Sequence, residues 1–270
     1  MGIPLYQVNS FTAEPFKGNP ACVCILEKKA AKDWMQSLAR ERNVVRTAFV
    51  CRLGNRFSLR WFSPLEESGL CGHATLAAAH ILWTEGYVEQ ADKVSFQTSG
   101  GLLRAWLEDK TIQLDFPSLP VKPVTGQKSL LSDIRRFLGC SPQVDLRFLG
   151  KSGLAYLAEL ESAEVLRGIK PDFKLMEYIP GGKLIVTSAS DKKDFDFISR
   201  FFTQGANGED QATGSAHCSI GPYWADRLGK VEMVGYQASE RGGVVKVKVS
   251  GDRVILAGKA VTTFKGRLMV

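Results

Sequence analysis

The sequence predicts an α+β protein made of two homologous, pseudo-symmetric lobes, each a set of short strands closed around one buried helix. Three observations carry this prediction. The chain has 270 residues, long for one core and suited to two modest lobes. Its second half repeats the first in order. Each half also holds a glycine-led turn into a segment apolar nearly all round, which as a helix has to be buried.

The repeat is read by laying the chain over itself. "RWFS" at Arg60 to Ser63 returns as "RFFT" at Arg200 to Thr203, an offset of 140. "CGHATLAAAHILW" from Cys71 answers "TGSAHCSIGPYW" from Thr213, with Gly72 and Gly214 at offset 142. "FQTSGG" from Phe96 faces "YQASERGG" from Tyr236, and Asp109 matches Asp252 at offset 143. Four matches in the same order with slowly drifting offsets define two homologous halves.

Within the first half, "CVCIL", "TAFVCR", "SLRWF", "LLRAWL" and "TIQLDF" read as strands. In the second half "LAYLAEL", "KLIVTS", "VVKVKV" and "RVILAG" do so. An amphipathic helix is expected early in each half, over "AKDWMQSLARE" and over "DFKLMEYI". The helix after each glycine turn is expected to pack inside the strands of its own half. Pro117, Pro120 and Pro123 break the pattern, placing one lobe over residues 1–117 and the other over 118–270, with the last strand free to return to the first.

Composition narrows the class. With 44% hydrophobic and 23% charged residues the chain is an ordinary globular one. Its apolar runs, such as "LAAAHIL", fall far short of the roughly 20 residues of a bilayer span. The beginning "MGIPLYQVNSF" reads neither as a secretory signal nor as a myristoylation site, so a cytoplasmic location and no membrane partner are expected. The net charge of +7 is spread, 35 Lys and Arg among 28 acids. No basic block points to nucleic acid, and a small anion is the expected partner. Six cysteines without a CxxC pair read as reduced and packed, Cys71 and Cys218 included, since they do not correspond in the repeat.

Chemistry is expected at the two turns. A Gly and small residues at a helix N-terminus, Gly72 with Ala74 and Gly214 with Ser215, leave free backbone N–H groups at the positive end of the helix dipole, which suits a carboxylate or phosphate. Two such turns duplicated in register suggest a shared site in a cleft between lobes. The competing reading is close packing, with Thr75 or Ser215 as helix cap. His73 in the first turn, and Glu209 and Asp210 just before the second, are candidate acids and bases. His80 and His217 lack the further ligands at fixed spacing that zinc requires, so no metal is expected and His80 reads as a core histidine.

At these residues the sequence resembles the PhzF family of phenazine-biosynthesis isomerase-like proteins. The resemblance rests on "FTAEPFKGNPACVCIL", "RWFSPLEESGLCGHATLAAAHIL", "GEDQATGSAHC", "PYWADRLGK", "QASERGG" and "GDRVILAGKAVT" and spans nearly the whole chain. It implies a diaminopimelate-epimerase-like fold, with each lobe a β-barrel-like sheet around a central helix, commonly in a homodimer. It also implies cofactor-free proton transfer on a small carboxylate-bearing molecule. His73, Asp210 and Ser215 match the family's histidine, aspartate and second serine, and Gly72 and Gly214 its helix-initiating glycines.

The chain departs from that family at "ERNVVRTAFV". Members typically read N-x-S-E-T-A-F-V with the glutamate as catalytic acid/base; here Val45 replaces the serine and Arg46 the glutamate. A guanidinium has no acceptor and stays protonated, so it takes no proton from carbon. Gln211 and Ala212 also stand where Pro-Val is usual. Two readings lead, ahead of a third in which the repeated scaffold hosts unrelated metal chemistry. In one, the protein is an isomerase or epimerase whose proton moves through Asp210, His73 or Glu209 while Arg46 grips a substrate carboxylate. In the other, it is a pseudoenzyme that binds a small anion or a protein partner without turnover.

Overall fold

A computed structural model describes residues 2–204 and 208–269 of the chain. It divides into two compact units: residues up to Phe116 together with those from Ile255 onward, and residues from Pro117 to Val254.

The first unit holds β1 (Ile3–Ser10), β2 (Asn19–Leu26), α1 (Lys32–Arg42), β3 (Arg46–Leu53), β4 (Arg56–Phe62), β5 (Glu67–Ser68), α2 (Gly72–Thr84), β6 (Val94–Thr98), β7 (Gly101–Glu108) and β8 (Thr111–Pro117). The second holds β9 (Lys122–Pro123), α3 (Lys128–Leu138), β10 (Leu146–Lys151), β11 (Tyr156–Leu160), α4 (Ala163–Gly168), a 3-10 helix (Phe173–Tyr178), β12 (Lys183–Ala189), β13 (Phe197–Thr203), β14 (Glu209–Asp210), α5 (Gly214–Leu228), β15 (Glu232–Gln237) and β16 (Gly243–Ser250). β17 (Arg253–Gly258) leads back to the first unit, which β18 (Ala260–Leu268) completes.

The duplication is visible in strand order. In the first unit β2 and β3 pair parallel, as do β4 and β6; in the second, β11 and β12, then β13 and β15. Parallel neighbours cannot be joined by a hairpin. The chain therefore crosses over through α1 and α2 in one unit, and through α4 with the 3-10 helix and then α5 in the other. The crossings after β4 and β13 carry the two glycine turns.

Helix α2 is Ala-rich and buries eleven of its thirteen residues against β1, β2, β3 and β18. Small side chains let the strands close on it. Helix α5 does the same against β15 and β16, and Gly221 makes the approach feasible, because a Cβ there would lie 2.6 Å from Val247. Pro222 inside α5 cannot donate to the Cys218 carbonyl. That carbonyl instead accepts from the N–H of Leu119 at 2.9 Å, so the buried group stays paired. Helix α1 sits outside its sheet and buries Met35, Leu38 and Ala39 with Leu5, Cys24, Phe49 and Phe62.

One sequence expectation fails here. "DFKLMEYI" forms the short 3-10 helix, capped by Asp172 accepting from the Lys174 N–H at 3.1 Å. Pro171 and Pro180 bracket the segment and deny it the length an α-helix needs. The longer amphipathic helix of the second unit is α3, whose Leu130, Ile134, Phe137 and Leu138 face that unit's core.

Candidate active site

In the first unit the glycine turn begins at Cys71, the N-cap of α2, with extended backbone. Neither Thr75 nor Ser215 caps a helix. The Thr75 hydroxyl instead donates back to the Cys71 carbonyl at 2.6 Å, and the caps are Cys71 and Thr213, without side-chain cap bonds. The extended cap turns Cys71 toward the imidazole two residues on, with Sγ 3.5 Å from His73 Nδ1. His73 is buried, and its carbonyl accepts from the Ser10 hydroxyl at 2.7 Å. Gly72 and Ala74 are buried on either side.

Arg46 is the first residue of β3, half-buried, and its Nη1 donates to the Val45 carbonyl at 2.7 Å. It acts on the same thiol. Burial alone would push Cys71 up, but His73, by charge and hydrogen bond, then the Arg46 charge and the Ala74 N–H, hold it below the ordinary thiol value. Sequence reasoning set Cys71 aside as packing. The structure gives it an imidazole and a guanidinium, while Cys218, whose sulfur lies 3.8 Å from the Gly214 carbonyl, is pushed up to about 12 by burial.

In the second unit Asp210 lies on β14 beside Phe201 of β13. Its carboxylate accepts from the Thr213 hydroxyl at 2.6 Å and from the Gln211 N–H at 3.2 Å. Gln237, fully buried, ties this turn together. Its Oε1 accepts from the Thr213 N–H at 2.7 Å, and its Nε2 donates to the Asp210 carbonyl at 2.6 Å and to Thr213 Oγ1 at 3.1 Å. Gly214 is buried and Ser215 half-buried at the start of α5. Gln237 was missed from sequence, although it stands in the repeated "QTSG/QASE" motif.

Glu209, a candidate base in the sequence, is engaged otherwise: Arg200 Nε and Nη2 hold both its oxygens at 2.7 Å. His217 donates through Nδ1 to the Thr213 carbonyl at 2.8 Å, and burial pushes it down to about 4. His80 meets the Thr262 hydroxyl at 3.0 Å, and burial holds it below the usual histidine range. Among the described residues no three metal-ligating side chains cluster, and no helix is long and apolar enough to cross a membrane.

Two homologous α+β units, each with a buried helix behind a glycine turn, define the diaminopimelate-epimerase-like fold. The model of the phenazine biosynthesis-like proteins, PhzC-PhzF, matches residues 8–266, and the chain belongs to that family. It is 43% identical to an uncharacterized isomerase of Halalkalibacterium halodurans, covering 100% of both chains. It is 41% identical to an uncharacterized isomerase of Pseudomonas aeruginosa over 99% of each. Among solved structures, a PhzF-family protein of Enterococcus faecalis superposes with a TM-score of 0.91 at 34% identity, covering 100% of both chains.

Proposed function

We propose that this protein is an isomerase or epimerase that moves a proton on a small carboxylate-bearing molecule without a cofactor, and that Cys71 with His73 replaces the family glutamate as proton carrier. The observation that carries the reading is the Cys71 to His73 contact of 3.5 Å, with the thiol drawn below its ordinary value beside Arg46. The thiolate takes the proton from carbon, and the electron pair left behind delocalises toward the substrate carboxylate. Arg46 binds that carboxylate, helped by the Gly72 N–H at the positive end of α2, while the Ala74 N–H holds the thiolate. Asp210, oriented by Thr213, is the second proton-handling group, and Gly214 and Ser215 contribute binding.

Arg46 in the glutamate's place favours one competing reading, an anion-binding protein without turnover. Incubation with small amino and hydroxy acids in D2O separates the two. Proton transfer predicts deuterium on the carbon beside the carboxylate, lost in His73→Leu and Asp210→Asn. Carboxylate binding that depends on Arg46, with no deuterium entering any acid, supports the anion binder instead.

A further inference from the structure

The duplication provides an internal control for one cavity of the first unit. In both units a strand arginine grips a glutamate through two nitrogens. Arg60 Nε and Nη2 lie 2.7 and 2.8 Å from the Glu67 oxygens, and Arg200 makes the same pair of bonds to Glu209, both at 2.7 Å. Each guanidinium also lies over a phenylalanine two residues on, Phe62 at 5.2 Å and Phe202 at 5.0 Å.

The two differ at the third nitrogen. Nη1 of Arg200 donates to the Ile169 carbonyl at 2.9 Å, at the end of α4. That pair is sealed, its side chains 11% and 16% exposed. In the first unit α1 holds the same place in chain order but sends no carbonyl to Arg60, whose Nη1 has no hydrogen-bond partner among the described residues. The Arg60 and Glu67 side chains, 36% and 22% exposed, line a cavity of about 300 Å³. Its apolar wall includes Leu26, Met35, Phe49 and Leu59, and its charged lining is Lys29, Arg60 and Glu67, two cations against one carboxylate.

We propose that this cavity binds a small apolar monocarboxylate, of about the size of hexanoate or benzoate. A ligand oxygen accepts from Arg60 Nη1, where the Ile169 carbonyl sits in the other unit. Lys29 supplies the compensating charge, and the hydrocarbon part lies against the apolar wall. Arg46, His73 and Asp210 do not line the cavity, so the site is independent of the proton-transfer reading.

The test is a titration of protein carrying 13C-labelled methionine methyls with sodium hexanoate and sodium benzoate. Met35 is assigned by Met35→Leu. Saturable movement of the Met35 signal below about 10 mM is expected for ligands of this size. Lys29→Gln should weaken binding about five- to tenfold. Ala30→Phe, which fills the cavity, should abolish it while the other methionine signals stay in place. 1-Hexanol should bind at least about tenfold more weakly than hexanoate. The proposal is overturned if Met35 does not respond to either acid, if hexanol binds as well as hexanoate, or if binding survives both Lys29→Gln and Ala30→Phe.

Discussion

At the first glycine turn Cys71, Gly72, His73 and Thr75 stand where Thr213, Gly214, Ser215 and His217 stand at the second, each at offset 142. The framework is shared. The third helical residue after each glycine bonds back to the cap carbonyl, Thr75 Oγ1 at 2.6 Å and His217 Nδ1 at 2.8 Å. An arginine-glutamate pair braces the short strand before each turn. The chemistry is not shared. The first turn gathers a thiol, an imidazole and a guanidinium, whereas the second fixes a carboxylate in a network around a buried amide. The arginine-glutamate brace is identical in both copies and the bond to the cap carbonyl recurs through a different residue, while the side chains at the cap and two positions after it, Cys71 and His73 against Thr213 and Ser215, diverged.

Breaking the braces should show the largest contrast. Arg200→Ala leaves Glu209 largely buried without a partner and is expected to destabilise the protein by about 3 to 5 kcal/mol. Arg60→Ala, at the more exposed pair, should cost about 1 kcal/mol or less. Urea unfolding of the two variants checks the order, and equal midpoints would remove the distinction between a sealed and an open pair.

Gln237 and its counterpart Gln97 sharpen the same contrast. Gln237→Leu strands the Thr213 N–H and the Asp210 carbonyl, a loss of about 2 to 3 kcal/mol. Among the described residues the exposed Gln97 side chain donates only to the Thr98 carbonyl at 3.4 Å, and Gln97→Leu should stay within about 0.5 kcal/mol of the parent.

The His217 effect depends on pH. Its folded value lies near 4 against an ordinary 6.5, so between those values the unfolded chain binds a proton that the folded chain does not. The contribution of this group is complete above pH 6.5 and falls away as the pH drops toward 4, by about 3 kcal/mol in all. His217→Thr, which copies the residue of the first half, should flatten that part of the stability-pH curve whatever it does to stability at pH 8. An unchanged slope would show that His217 is not the group responsible.

The smallest effect is a change in one titration. Thiolate absorbance of a variant keeping only Cys71 should develop at lower pH than in one keeping only Cys218. Adding His73→Leu should move the Cys71 curve upward. No movement would mean that the imidazole does not stabilise the thiolate.

Much of this was legible in the sequence. Short repeated strings gave away the duplication, and an apolar surface all round identified α2 as buried. His73 and Asp210 stood out through the family pattern. What escaped depends on backbone direction and distant pairing. Cys71 and His73 meet only because the cap residue is extended. Glu209 is engaged because β13 and β14 pair and bring Arg200 alongside it, a partnership that the repeated arginine and glutamate could have suggested. Gln97 and Gln237 occupy matching places in the repeat, yet only one is buried in a network. Helix α3 did show its signal in Leu130, Ile134, Phe137 and Leu138, hidden beside the proline-rich boundary.

The most direct test of a thiol proton carrier at the first turn compares the two cysteines in one exchange experiment. Deuterium entry from D2O into a responsive amino or hydroxy acid is followed by proton NMR for the native protein, Cys71→Ser and Cys218→Ser. Loss of a general base lowers rates by about 10² to 10⁴, so Cys71→Ser should slow exchange by at least about a hundredfold while Cys218→Ser leaves it within about twofold. Equal rates in all three proteins would contradict the role assigned to Cys71.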